Sequence, residues 1–201
     1  MDAAIDASFG GSFVPAPEVR DWIIAAFLEK DAPFFNADHQ HLLHASIGVL
    51  WTNVDNIKQM RSVVGQAEMP VNRGGKWQKA RADLQLVQWF RLIPDFVITL
   101  SAPYCAIADD ASFCALVDHE LYHCAQDIDH FGAPKFHRET GLPVFAIRDH
   151  DVTEFVGVVR RWGSRAAGAG VEELVQAAQK DPEFAAAQIA AACGTCHAGL
   201  A

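Results

Sequence analysis

The chain has 201 residues, 51% of them hydrophobic and 20% charged, which is a composition typical of a globular protein with one main core. Its formal net charge of −9 argues against a surface that binds nucleic acid. No apolar run approaches the roughly 18 residues of a membrane-spanning helix, so we expect no association with a membrane through such a segment.

The N-terminal residues 1–16 are small and rich in Gly, Ala and Ser, and they are predicted to form a flexible arm. They contain neither a basic stretch nor a sustained apolar one, so we expect no secretory signal and a location in the cytoplasm. The five cysteines, an odd number, are then expected to be reduced thiols.

The first half of the chain alternates between helical and extended patterns. Apolar residues at helical spacing predict a helix over 17–29, and residues 34–45 suggest one or two further turns. Strands are predicted at 46–51, at 60–69 and, as a buried run, at 95–103. The apolar residues of 82–93 follow neither the helical nor the strand period clearly, so this segment could be either.

A longer helix is predicted over 107–127, because apolar residues recur there at steps of three and four. A strand at 144–148, a helix at 150–163 and a linker at 164–170 follow. Helices are predicted at 171–180 and 182–192, before a loosely packed tail. The sequence therefore predicts an α+β domain over 17–163, with a short mixed or antiparallel sheet, and an Ala-rich helical tail over 164–201.

Residues 119–123 read His-Glu-Leu-Tyr-His, an H-E-x-x-H motif, within the predicted helix. His119 and His123 are four residues apart, so both imidazoles leave one face of the helix and can reach one zinc ion. Glu120 points to a neighbouring face, where it can take a proton from a water molecule that the metal activates. These residue types at this spacing suit zinc-dependent hydrolysis.

A catalytic zinc site needs a third protein ligand, and several residues downstream could supply it. A polar cluster, Arg148-Asp149-His150-Asp151, precedes Glu154, and His130 and His137 are alternatives. The metzincin spacing is excluded because position 129 is Asp rather than His. His150 is favoured because it lies at a predicted strand-to-helix junction. Asp151 and Glu154 are candidate hydrogen-bond partners of the ligands, alternative ligands, or merely helix-capping residues.

Two segments carry a resemblance to a known family: residues 94–124, PDFVITLSAPYCAIADDASFCALVDHELYHC, and residues 148–163, RDHDVTEFVGVVRRWG. With their D-H-E-L-x-H and H-D-x-x-E-F motifs, they resemble the putative phage metallopeptidase family. The resemblance implies a small zincin-like α+β fold and a zinc ion held by His119, His123 and His150. The resemblance does not itself give a substrate; a peptidase would act on a peptide or protein, and a phage or prophage protein would be located in the cytoplasm of the host cell.

The leading hypothesis is a zinc metallopeptidase in which Glu120 acts as general base and acid. An alternative is a binding protein with a structural zinc site that engages a host or phage protein, its fourth ligand supplied by Asp149, Asp151, Glu154 or Cys124. A third hypothesis follows from the tail, where Cys193-Gly194-Thr195-Cys196-His197 matches the C-x-x-C-H motif of c-type haem attachment. Candidates for stabilising a tetrahedral oxyanion are Tyr104, Tyr122, His130, His137, Arg138 and Arg148.

Overall fold

Two apolar runs form the centre of the main sheet. Strand β2 (Ile47–Thr52) pairs in parallel with β5 (Phe96–Ser101), with Ile47 opposite Phe96 and Thr52 opposite Ser101. Every residue of β2 is buried, and so are most residues of β5. Since both faces of these strands are covered, their sequences are nearly continuous apolar runs rather than alternating ones.

This computed structural model describes residues 11–58, 60–71, 74–152, 159–161, 163–164, 169–184, 192–193 and 195. The other strands of the main sheet are β1 (Phe13–Pro15), β3 (Ile57–Lys58), β4 (Arg61–Glu68) and β8 (Ala192–Cys193). The sheet is mixed, in the order β1-β2-β5-β4-β3, and β8 pairs with β4. The predicted α+β class with a mixed sheet is confirmed.

Helices cover the sheet and connect its strands. Helix α1 (Pro17–Ile23) continues as a π-helical turn (Ile24–Leu28), and a 3₁₀ helix (Ala37–His44) follows. The ambiguous segment 82–93 lies in helix α2 (Lys76–Phe90) as far as Phe90, and a short helix α3 (Ala102–Cys105) follows β5. Near the C-terminus lies α5 (Ala169–Ala178).

Helix α4 (Asp110–His123) packs against the sheet through Leu116, Val117 and Leu121, which belong to the core. Its N-cap is Asp109, whose Oδ1 accepts a hydrogen bond of 2.7 Å from the backbone N–H of Ser112. The prediction of a helix continuing to residue 127 is wrong. The chain leaves the helix at His123 because the next residues form strand β6 (Cys124–Gln126), which pairs antiparallel with β7 (Phe145–Ile147).

Both ends of the chain contribute to the sheet, which corrects three predictions. Residues 13–15, assigned to the flexible arm 1–16, form β1 and pair with β2. Of the helix predicted over 182–192, residues 182–184 are not helical and Ala192 lies in β8, while the residues between lie outside the described part. The tail is not loosely packed at Thr195, which is 4% exposed. None of the described helices is long and apolar enough to span a bilayer.

Candidate metal centre

The last turns of α4 bring the two motif histidines together. His119 and His123 lie one helical turn apart, and their Nε2 atoms are 3.3 Å from each other. His123 is buried, whereas His119 is partly exposed. The two nitrogens therefore point to one position at the surface of the domain.

His150 joins them from the segment that follows β7. Its Nε2 lies 3.3 Å from Nε2 of His119. The topology explains this, because β6 begins directly after His123 and β7 runs back along it, with Ile147 opposite Cys124. The chain after β7 consequently returns to the end of α4, where the backbone N–H of Arg148 donates to the carbonyl of His123 at 3.0 Å.

The three imidazoles fit a metal ion. Their ligand atoms all lie within 4.8 Å of one another. A tetrahedral zinc ion about 2.0–2.1 Å from each ligand would hold neighbouring ligand atoms about 3.3 Å apart, which is the distance of Nε2 of His119 from Nε2 of both His123 and His150. Three neutral imidazoles are also a donor set that zinc and similar transition metals accept.

The orientation of His123 is fixed by a hydrogen bond on the far side of its ring. Nδ1 donates to the backbone carbonyl of Arg148 at 2.6 Å. Because a carbonyl oxygen only accepts, Nδ1 must carry the proton, and the lone pair of Nε2 is left for a metal. The same Arg148 thus exchanges two hydrogen bonds with His123, one through its N–H and one through its carbonyl.

Glu120 lies on the inner side of α4 and is fully buried. Its carboxylate packs against Gly65 in the middle of β4, so closely that a Cβ at position 65 would overlap Oε1 of Glu120 and come within 2.9 Å of Cδ1 of Leu116. Any residue with a Cβ at position 65 would therefore displace the carboxylate of Glu120. The sheet in this way fixes where the glutamate of the motif can lie.

A cleft of about 390 Å³ opens beside the three histidines. Arg148 and Asp151 face it and form an ion pair with each other. Tyr122 and Asp38 also line the cleft, and the Tyr122 hydroxyl donates to Oδ2 of Asp38 at 3.3 Å. Burial raises the pKa of Tyr122. The hydroxyl consequently remains a neutral donor at physiological pH.

Sequence reasoning missed a second layer of polar contacts under the motif. The buried His39 binds Oδ1 of Asp118 through Nε2 at 2.9 Å, and its ring lies edge-on to Tyr122 with centroids 4.6 Å apart. Asn36 donates to the Tyr122 hydroxyl at 2.8 Å. His39 and Asp118 are 79 residues apart in the chain, so no local spacing could have revealed their contact.

The other candidate ligands from the sequence are not part of the group of three histidines. His130 and His137 are on the loop between β6 and β7 and belong to no group of metal-ligating side chains found among the described residues. Asp151 is engaged by Arg148. Cys124 is completely buried, and burial together with the Glu120 charge raises the pKa of its thiol. Glu154, Cys196 and His197 lie outside the described residues.

Comparison with known protein families gives a match. The model of a family described as putative phage metallopeptidase matches residues 20–179, which include both motif segments and the three histidines. No curated protein and no solved structure matches the chain.

Proposed function

Because the chain belongs to the putative phage metallopeptidase family, we propose that it is a zinc-dependent peptidase of phage or prophage type. The observation that carries the proposal is that Nε2 of His119 lies 3.3 Å from Nε2 of both His123 and His150, at the end of the helix that also holds Glu120. His119, His123 and His150 would be the zinc ligands. The family supports a peptidase, and the donor set supports zinc.

When bound to the three histidines, zinc would polarise the scissile carbonyl and lower the pKa of a water molecule to about 7. Glu120 accepts the proton as the water oxygen bonds to the carbonyl carbon. The same carboxylic acid then returns the proton to the amide nitrogen as the carbon–nitrogen bond breaks. Packing against Gly65 holds the carboxylate in a fixed position for both transfers.

Charge on the developing tetrahedral oxyanion needs a donor beside the metal. Tyr122 and Arg148 both face the cleft, and each was a candidate from the sequence. Arg148 is already engaged in an ion pair with Asp151. The Tyr122 hydroxyl, in contrast, donates only a long hydrogen bond of 3.3 Å to Asp38. We therefore assign this role to Tyr122.

A purely structural zinc site would need a fourth protein ligand. Cys124 is a poor one, because its buried thiol resists the deprotonation that metal binding requires. Asp151 already has a partner in Arg148. Both observations favour a site that keeps a position open for substrate.

We place the enzyme in the cytoplasm of the host cell, which the free thiols at Cys105, Cys114 and Cys124 support.

Two variants test the proposal because they separate metal binding from proton transfer. His119→Ala should lose zinc, measured by elemental analysis, and should lose cleavage of a fluorogenic peptide mixture. Glu120→Gln should keep stoichiometric zinc but lose cleavage by at least a thousandfold, since an amide cannot accept the proton. His130→Ala, a histidine outside the group, should match the wild type in both measurements. Full activity in Glu120→Gln would overturn the mechanism.

A further inference from the structure

The outer edge of β4 is covered by other parts of the chain. The backbone N–H and C=O of Ala67 both bind Thr195, so they face away from β5, which pairs with the opposite edge. Alternate residues of a strand direct their backbone groups to the same edge. Val63, Gly65 and Ala67 therefore share this outer edge, and the N–H of Val63 donates to the carbonyl of Asn56 at 2.8 Å.

The C-terminal segment contacts this edge at Val63, Gly65 and Ala67, with an irregular register between the first two. In β8, Ala192 pairs with Val63 and Cys193 with Gly65, parallel to β4. Thr195 continues the contact with its side chain, whose Oγ1 accepts from the N–H of Ala67 at 2.7 Å and donates to its carbonyl at 2.8 Å. One hydroxyl thus replaces the two hydrogen bonds that a further strand residue would make.

This edge belongs to the strand that holds the motif glutamate in place. Gly65, which pairs with Cys193, is also the residue whose face contacts the Glu120 carboxylate. An extended peptide that added itself to β4 would therefore pass beside Glu120. Strand addition to a sheet edge supplies main-chain hydrogen bonds that do not depend on the peptide sequence.

We propose that the outer edge of β4, at Val63, Gly65 and Ala67, is a binding surface for an extended peptide and that the chain's own Ala192–Cys193 and Thr195 occupy it as an intramolecular competitor. This inference rests on the proposed peptidase function, because the peptide it admits is the substrate. Two strand residues and one hydroxyl make a short contact, which a longer peptide strand can replace. The C-terminal segment thereby limits access to the site.

The first test examines the edge without any catalysis, in the full-length, metal-free protein. Thr195→Val keeps the shape of the side chain but removes both hydrogen bonds to Ala67, whereas Thr195→Ser keeps the hydroxyl. Amide hydrogen exchange at Ala67 should be at least tenfold faster in Thr195→Val than in the wild type or Thr195→Ser. A fluorescent peptide with the sequence of residues 190–197, under reducing conditions, should bind Thr195→Val at least fivefold more tightly than the other two.

Thermal unfolding confirms that each variant is folded, and Thr195→Ala provides a second variant without the hydroxyl. Equal exchange at Ala67 and equal peptide binding in all four proteins would overturn the inference. The zinc-loaded proteins are then assayed for peptide cleavage, and faster cleavage by Thr195→Val, with Thr195→Ser unchanged, supports it further. If the edge opens but none of the proteins cleaves peptides, the proposed peptidase function is wrong and the competition for the edge stands. If all four proteins cleave peptides at the same rate and protect Ala67 equally, the inference about the edge is wrong and the proposed peptidase function stands.

Discussion

Gly65 of β4 lies in direct contact with the carboxylate of Glu120 on α4. The contact joins the centre of the sheet to the one acidic residue of the H-E-x-x-H motif. The side chain of this glutamate is completely buried. A glycine is needed here for space rather than for backbone conformation, since a Cβ would overlap Oε1 of Glu120 and crowd Leu116. With any other residue at position 65, the side chain of Glu120 or Leu116, or helix α4 itself, would have to shift.

Gly65→Ala should impair cleavage without removing the metal. The added methyl group forces Glu120 or α4 to shift, and overpacking of this kind costs about 1–3 kcal/mol of stability. We expect kcat to fall at least tenfold while zinc content stays at the wild-type level. Gly75→Ala is the matched control, because a Cβ there meets only Oε1 of Gln78 at 4.0 Å. Unchanged kcat in Gly65→Ala would show that this contact does not position the carboxylate.

Asp118→Ala should destabilise the protein through His39. The ring of His39 is 1% exposed, and loss of the carboxylate leaves its Nε2 without the partner at 2.9 Å. A buried polar group that loses its hydrogen-bond partner lowers the free energy of unfolding by about 1–3 kcal/mol. Urea denaturation measures this loss. Asp83→Ala breaks the surface pair with Lys79 and should cost less than about 1 kcal/mol. Equal costs for the two variants would contradict the role given to Asp118.

The sequence predicted those features that rest on strong local patterns. The strands at Ile47–Thr52 and Phe96–Ser101 are apolar runs, and the two motif histidines are four residues apart on a helix whose apolar face is clear. His150 could be favoured, but its approach to His119 depends on the pairing of β6 with β7. That pairing also ends α4 at His123, which the apolar periodicity alone could not show.

Long-range contacts explain what the sequence did not predict. Thr195 binds Ala67 across 128 residues, and the sequence around it suggested a loose tail because a single hydroxyl provides the contact. Helix α2 was ambiguous because none of its residues is buried, so its apolar residues carry no clear period. At its N-terminus, the backbone N–H of Gly75 donates to Oε1 of Gln78 at 2.9 Å.

His150→Ala should weaken zinc binding more than any change in the residues around the ligands. Loss of a residue that hydrogen-bonds to a metal ligand typically lowers metal affinity about 10–100-fold. Removal of a ligand itself should therefore lower it more than about 100-fold. Competition with a chromophoric chelator measures the affinity. Asp151→Ala removes the ion pair with Arg148 but no proposed ligand, and it should lose about tenfold or less. If Asp151→Ala and His150→Ala lose the same affinity, the assignment of His150 as third ligand is wrong.

His41 should make stability depend on pH. Desolvation by burial lowers its pKa below the ordinary value of 6.5, although the 2.7 Å hydrogen bond from Nε2 to the carbonyl of Cys124 opposes this shift. As pH falls through 6.5, the unfolded chain therefore binds a proton at this position before the folded chain does. The contribution of His41 to stability is complete above pH 6.5 and decreases as pH falls toward the folded pKa.

His41→Gln removes the titrating group but keeps an N–H that can donate to Cys124. Urea denaturation of the metal-free wild type and variant, repeated between pH 7.5 and 5, isolates the effect because zinc binding no longer contributes. The free energy of unfolding should fall less steeply with decreasing pH in the variant, and the difference between the two proteins should be constant above pH 7. Parallel curves across the whole range would mean that the imidazole of His41 titrates alike in the folded and unfolded chain.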